Sequence, residues 1–188
     1  MPDIPAYENM GLALVKKHDE KGAIAAFKES LRLRPNNPKT ILSYALGLIA
    51  LDQPTEALRT IVDALGRFPF WADNPRLYLR YNAACAAMIC ADGKRSPSVA
   101  LAERQTFRKQ AFDLLAADLA VLAQLATSDR LFVHKALRLW LVDGDLEAVR
   151  PPRTADLSPE ERNRWEAFWA RVKSLSDSTV SSEHNESR

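Results

Sequence analysis

The chain of 188 residues, with 47% hydrophobic and 27% charged residues, has the composition of an ordinary globular domain with a substantial core. Its net charge of +2 is close to balance, so no strong electrostatic attraction to nucleic acid or to a membrane surface is expected. The sequence shows neither an apolar run long enough to span a membrane nor a signal-peptide pattern at its N-terminus. We therefore expect a cytoplasmic protein with no nucleic-acid partner and no membrane partner.

The first part of the chain contains two successive pairs of predicted helices. The spacing of apolar residues predicts them over 6–17, 20–33, 39–51 and 55–67. The third helix is apolar almost all round, which indicates either burial on more than one side or a face that binds something. Pro35 and Pro69 end the second helix of each pair, because proline lacks an N–H and clashes with the preceding turn.

The two pairs repeat one pattern at a constant offset of 34 residues (69 − 35 = 34). Small, large apolar and proline positions coincide: Gly11 with Ala45, Leu14 with Leu48, Ala23 with Ala57, Ile24 with Leu58, Phe27 with Ile61, Leu31 with Leu65 and Pro35 with Pro69. The small residues let the helices of one pair approach closely, and Phe27 and Ile61 fill the gap between pairs. This period and these residue types are the signature of the tetratricopeptide repeat, a helix–turn–helix unit that stacks into a solenoid.

A third, modified unit follows after a shift in register. Taking Ala84 as the equivalent of Ala45 gives an offset of 39, and the five extra residues are 70–74. The first helix of this unit contains Ala84, and a long helix over 99–125 takes the place of the second.

Two more helices are predicted after the long helix. One covers 129–142, and the other begins at Ser158 with a capping pattern and ends near 175. We interpret the aromatic face of the last helix as part of a core or cap. The polar, aperiodic residues 176–188 are predicted to be a disordered tail.

These elements predict an all-α fold, a tetratricopeptide-repeat helical solenoid of about two and a half repeats with a long helix and a C-terminal helical cap. The predicted single domain covers 1–175. Its parts are two repeat units (1–69), a modified third unit with the long helix (70–125) and C-terminal capping helices (126–175).

Four runs in the second half follow one another in a distinctive order. They are 81–87 (YNAACAA), 108–119 (RKQAFDLLAADL), 137–140 with 143–150, and 158–162 with 165–169. Together they resemble the tetratricopeptide C-terminal region of the large serine/threonine protein kinases typical of planctomycete bacteria. The resemblance covers about 7–175 and implies a region outside the catalytic domain. The glycine-rich loop, the lysine–glutamate pair and the catalytic aspartates of a kinase do not occur in their sequence contexts, so kinase activity is not implied.

The sequence contains no pattern that indicates catalysis or metal binding. His18, His134 and His184 do not pair at metal-ligand spacing, and no serine or cysteine has the neighbours of an activated nucleophile. Cys85 and Cys90 lie five positions apart on one predicted helix, which opposes both a disulfide and a zinc site. We therefore predict a protein that is not an enzyme and has no metal and no cofactor.

The candidate binding surface is the concave face lined by the first helix of each unit. In tetratricopeptide domains the residue two positions before the small residue points into this groove, and those positions hold Asn9, Ser43 and Asn82. An asparagine amide both donates and accepts, so it can pair with the backbone of an extended peptide. The neighbouring groove positions are Glu8, Leu12, Leu42, Leu46, Tyr81 and Cys85.

The prediction is a non-catalytic protein–protein interaction module, or scaffold, that binds a peptide or protein through this concave face. The alternative is a detached regulatory or structural C-terminal segment of a multidomain serine/threonine kinase. In that case the chain's own helix around 165–172 covers the groove, and Asn9 and Asn82 cap internal backbone groups. The sequence leaves both interpretations open and does not identify the partner.

Overall fold

The computed structural model describes residues 4–93, 95–96, 99–154 and 157–180. Every regular element within these ranges is a helix, which confirms the predicted all-α class. The α-helices are α1 (Ile4–Lys16), α2 (Glu20–Leu33), α3 (Pro38–Ala50), α4 (Pro54–Arg67), α5 (Leu79–Ala91), α6 (Leu101–Leu125), α7 (Arg130–Val142) and α8 (Pro159–Val180). Short 3₁₀ helices cover Pro69–Trp71, Pro75–Leu77 and Gly144–Val149.

The chain divides into two compact units, 1–114 and 115–188, with the division inside α6. The first unit contains α1 to α5 and the start of α6, and the second contains the rest of α6 with α7 and α8. The single domain expected over 1–175 stays a prediction. None of the described helices is both long enough and apolar enough to cross a membrane.

The first four helices begin and end where the sequence supplies caps and breaks. The Asp19 carboxylate accepts a hydrogen bond of 2.9 Å from the Gly22 N–H at the start of α2, and Asn37 caps α3 in the same way. Both α2 and α4 end two residues before a proline, Pro35 and Pro69 respectively. All four helices lie within two residues of their predicted bounds.

In the first unit each of the first four helices packs on the next, and α3 also contacts both α1 and α5. Phe27 of α2 lies where α1, α2 and α3 meet. A Cβ atom built on Gly11 of α1 would lie 2.7 Å from the Phe27 ring, and one built on Gly47 of α3 would lie closer still. The phenyl ring is therefore held between two glycines, and it fills the space between one helix pair and the next.

In the second unit α8 continues further than the sequence predicted. The expected end near 175 and the disorder expected from 176 are wrong for 176–180, because α8 runs through Val180. Ser176 and Thr179 are buried, and the Nδ1 atom of His134 on α7 lies 3.2 Å from the Thr179 hydroxyl. Contacts with α7 thus order a stretch whose composition alone indicates disorder. The remaining tail, 181–188, lies outside the described residues.

Candidate functional site

The predicted groove residues come from α1, α3 and α5, the first helices of successive pairs. Leu12 of α1 and Leu46 of α3 are equivalent in the 34-residue repeat (46 − 12 = 34). Both are exposed, by 44% and 43%, and the two helices contact each other. One position of the repeat therefore places an accessible apolar side chain on each of two neighbouring helices.

Glu8 has a structural role that the sequence did not reveal. Its Oε1 atom accepts hydrogen bonds from the Thr40 hydroxyl at 2.8 Å and from the Ser30 hydroxyl at 3.3 Å. These bonds join α1 to α3 and to α2. The sequence does contain a signal of this role of Glu8. Ser30 occupies the repeat position of Ala64 (64 − 30 = 34), and a hydroxyl that is buried there requires a hydrogen-bond partner.

The three polar groove residues differ in their environment. Asn9 is exposed, whereas Ser43 and Asn82 are half-buried. The Asn82 amide donates a hydrogen bond of 2.7 Å to the backbone carbonyl of Tyr78, just before the first turn of α5. The bond is local to the start of α5, since the same carbonyl also accepts the backbone N–H of Asn82.

Helix α5 contributes little accessible surface to the predicted groove. Leu42 of α3 is half-buried, but Tyr81 and Cys85 of α5 are only 5% and 4% exposed. The alanine-rich α5 is buried along almost its whole length, because small side chains let neighbouring elements approach closely. The predicted groove residues that are exposed, Asn9, Leu12 and Leu46, all lie on α1 and α3.

A cavity of about 420 Å³ opens elsewhere in the first unit, beside the start of α4. Several of its polar groups already have partners within the protein. The Glu56 carboxylate pairs with Arg59 at 2.6 Å, and the Gln53 amide donates to the Glu20 carboxylate. The residues that line the cavity are Asp52, Gln53, Pro54, Thr55, Glu56, Arg95, Ser96 and Val99.

The buried Cys90 contacts one of these lining residues, with its Sγ atom 3.4 Å from the Thr55 hydroxyl. Burial raises the pKa of the Cys90 thiol, and the Thr55 hydroxyl opposes this effect more weakly. The thiol is therefore protonated near neutral pH and is inaccessible, which makes it a poor nucleophile. Cys90 has the environment of a core residue.

Compared with family models, with curated proteins and with solved structures, the chain has no significant match. The relation to kinase-associated repeat regions consequently depends on the sequence runs alone and stays a prediction.

Proposed function

We propose that the chain is a non-catalytic protein-interaction module of the tetratricopeptide type, which binds an extended peptide segment along α1 and α3. The observation that carries this proposal is the exposure of Leu12 and Leu46 at one repeat position of two helices in contact. A single exposed leucine is common in folded proteins, but an accessible apolar row that follows the repeat favours a binding surface.

The packing of the first unit supports the repeat architecture. In a solenoid of helix pairs each unit contacts its neighbours, and the first helices of successive pairs lie side by side. The contacts of α3 with α1 and α5 have this pattern. The close approach of Phe27 to Gly11 of α1 and Gly47 of α3 gives the pattern a physical cause, since it lets α2 pack against both helices.

The accessible residues define the chemistry of the ligand. Leu12 and Leu46 can bury apolar side chains, and the exposed Asn9 amide can pair with a peptide backbone. The negative charge of the half-buried Glu8 disfavours a terminal carboxylate at this end of the groove. The ligand is therefore an internal segment with two apolar side chains, rather than a C-terminal tail.

The test compares wild-type protein with a Leu12→Glu/Leu46→Glu variant. A Leu33→Glu/Leu101→Glu variant is the matched control, because it makes the same changes at exposed leucines outside the groove. Proteins captured from lysate are cross-linked to the bait, and the cross-linked segment is synthesised for calorimetric titration. Burying one leucine contributes about 1.5–3 kcal/mol, so the groove variant should bind the peptide at least about tenfold more weakly.

The control variant should bind the peptide like wild type, and circular dichroism should show equal helix content in all three proteins. Equal affinity of the groove variant and wild type would contradict the proposal. So would a wild-type protein that captures no segment cross-linked to α1 or α3.

The second candidate function is a regulatory or structural segment of a multidomain serine/threonine kinase. It is supported by the burial of Tyr81 and Cys85, since this burial removes part of the groove from solvent. A kinase domain encoded in frame immediately upstream would favour this candidate. An upstream region without one would contradict it.

A further inference from the structure

The outer face of α7, in the second unit, combines exposed apolar residues with basic ones. The helix contains three basic residues besides His134, and it contains no aspartate or glutamate. Its inner face is buried and packs on α8. The outer face presents Leu131, Lys135, Arg138, Leu139 and Val142, which are all exposed.

Four of these residues form one straight stripe. Leu131, Lys135, Arg138 and Val142 follow one another at steps of four, three and four residues, which places them within roughly 60° on a helix. The stripe is about 16 Å long, or three turns. Leu131 and Val142, exposed by 60% and 66%, stand at its two ends. The two cations occupy its centre, with Leu139 beside them.

The charges of this stripe are not neutralised within the described part of the chain. Neither Lys135 nor Arg138 forms an ion pair or a hydrogen bond with any residue in the ranges that the structure describes. By contrast, Arg130 on the same helix donates a hydrogen bond of 3.2 Å to the Ser178 carbonyl of α8. The two central cations are thus available to carboxylates of a partner.

The order of residues along the stripe distinguishes between classes of partner. A helix that lies on a membrane has its cations on the polar face, so that the apolar face can enter the lipid. Here the cations stand between the apolar residues, so burying Leu131 and Val142 in lipid would bury Lys135 and Arg138 too. Single-stranded nucleic acid is bound with the help of stacked aromatic rings, and the stripe contains none.

We propose that this stripe of α7 binds an acidic amphipathic helix of a partner protein. The contact face of that helix carries two carboxylates between two apolar residues. Because the steps of four, three and four read the same in both directions, the complementary motif is apolar-x₃-acidic-x₂-acidic-x₃-apolar for either helix orientation. Apolar contacts at the two ends supply affinity, and the central charge pairs set register and partner choice. The stripe shares no residue with the groove of α1 and α3.

The probe is a fluorescein-labelled synthetic helix with leucine, glutamate, glutamate and leucine at these positions in an alanine- and glutamine-rich background. Its binding to the full chain is followed by fluorescence anisotropy. We expect saturable binding that weakens as the salt concentration rises. A Lys135→Glu/Arg138→Glu variant should bind the probe at least about tenfold more weakly, because two attractive pairs become repulsive. A probe with lysines in place of both glutamates should restore binding to that variant.

The matched control is Lys21→Glu/Lys28→Glu, which makes the same change in net charge at exposed positions of α2. It should bind the acidic probe like wild type. An equal loss of binding in the control would overturn the proposal, because overall charge would then explain the effect. The proposal would also be overturned if wild type did not bind the acidic probe. The same holds if the lysine probe did not bind the Lys135→Glu/Arg138→Glu variant. Binding through α7 to phosphatidylcholine–phosphatidylserine vesicles without binding of the probe would overturn it too.

Discussion

Replacement of Glu8 tests how the first three helices are held together. The Oε1 atom of Glu8 accepts hydrogen bonds from Thr40 at 2.8 Å and from Ser30 at 3.3 Å. Ser30 is 0% exposed and Thr40 is 2% exposed. A Glu8→Ala substitution would therefore remove the acceptor of two hydroxyls that water does not reach.

The size of the effect follows from these contacts. Leaving a buried hydroxyl unpaired costs about 1–3 kcal/mol. The bond from Ser30 is long, so we attribute most of the effect to Thr40 and expect Glu8→Ala to lower the unfolding free energy by about 2–4 kcal/mol. For a chain of this size the loss corresponds to a fall in Tm of roughly 4–16 °C. Glu8→Gln should cost only about 1 kcal/mol, because the amide retains an acceptor oxygen.

The assay is urea unfolding followed by circular dichroism. Glu8→Ala, Thr40→Val and the double variant form a cycle, in which the two losses should be less than additive by about 1–2 kcal/mol. The control is Glu29→Ala, which removes an exposed pair with Arg32 and should change the unfolding free energy little. The reasoning is refuted if Glu8→Ala is as mild as the control, or if the losses of Glu8→Ala and Thr40→Val simply add.

Three further predictions concern packing, helix docking and pH. Gly47→Ala should lower the unfolding free energy by about 1–3 kcal/mol, because its Cβ would meet the buried ring of Phe27; Gly66→Ala, whose Cβ meets open space, should not. His134→Ala should speed amide hydrogen exchange in the last turn of α8 without affecting α2, since His134 contacts that turn; unchanged exchange would contradict this role. Burial raises the pKa of the Cys90 thiol above its value in the unfolded chain. As the pH rises through about 9, the unfolded chain therefore releases this proton first, and the unfolding free energy falls. Urea unfolding at several pH values should show a shallower fall for Cys90→Ala, and an identical fall would refute the assignment.

The helices of the first unit were predictable because their signals are local. The apolar spacing, the Asn37 cap and the prolines at 35 and 69 each act within a few residues, so all four helices appear within two residues of their expected bounds. The end of α8 was not predictable in this way. Its last turn depends on contacts with α7, where His134 lies 45 positions before its partner Thr179.

The candidate groove shows the same division between local and long-range information. The repeat identified Leu12 and Leu46 as equivalent positions, and the structure shows both to be exposed. The repeat also groups Tyr81 and Cys85 with these two leucines, yet Tyr81 and Cys85 are buried in the structure. A repeat specifies which face of a helix a residue occupies, but it does not specify what covers that face.

The sequence by itself therefore determined the all-α class, the bounds of the first helices and the 34-residue repeat, because these depend on residue types at short and regular spacing. Only the tertiary structure decided that Glu8 joins three helices, since its partner Thr40 lies 32 positions away. Only the tertiary structure decided which repeat positions remain accessible to a ligand. The physical reason is that hydrogen-bond pairing and solvent exposure depend on distances in space between residues that are far apart along the chain.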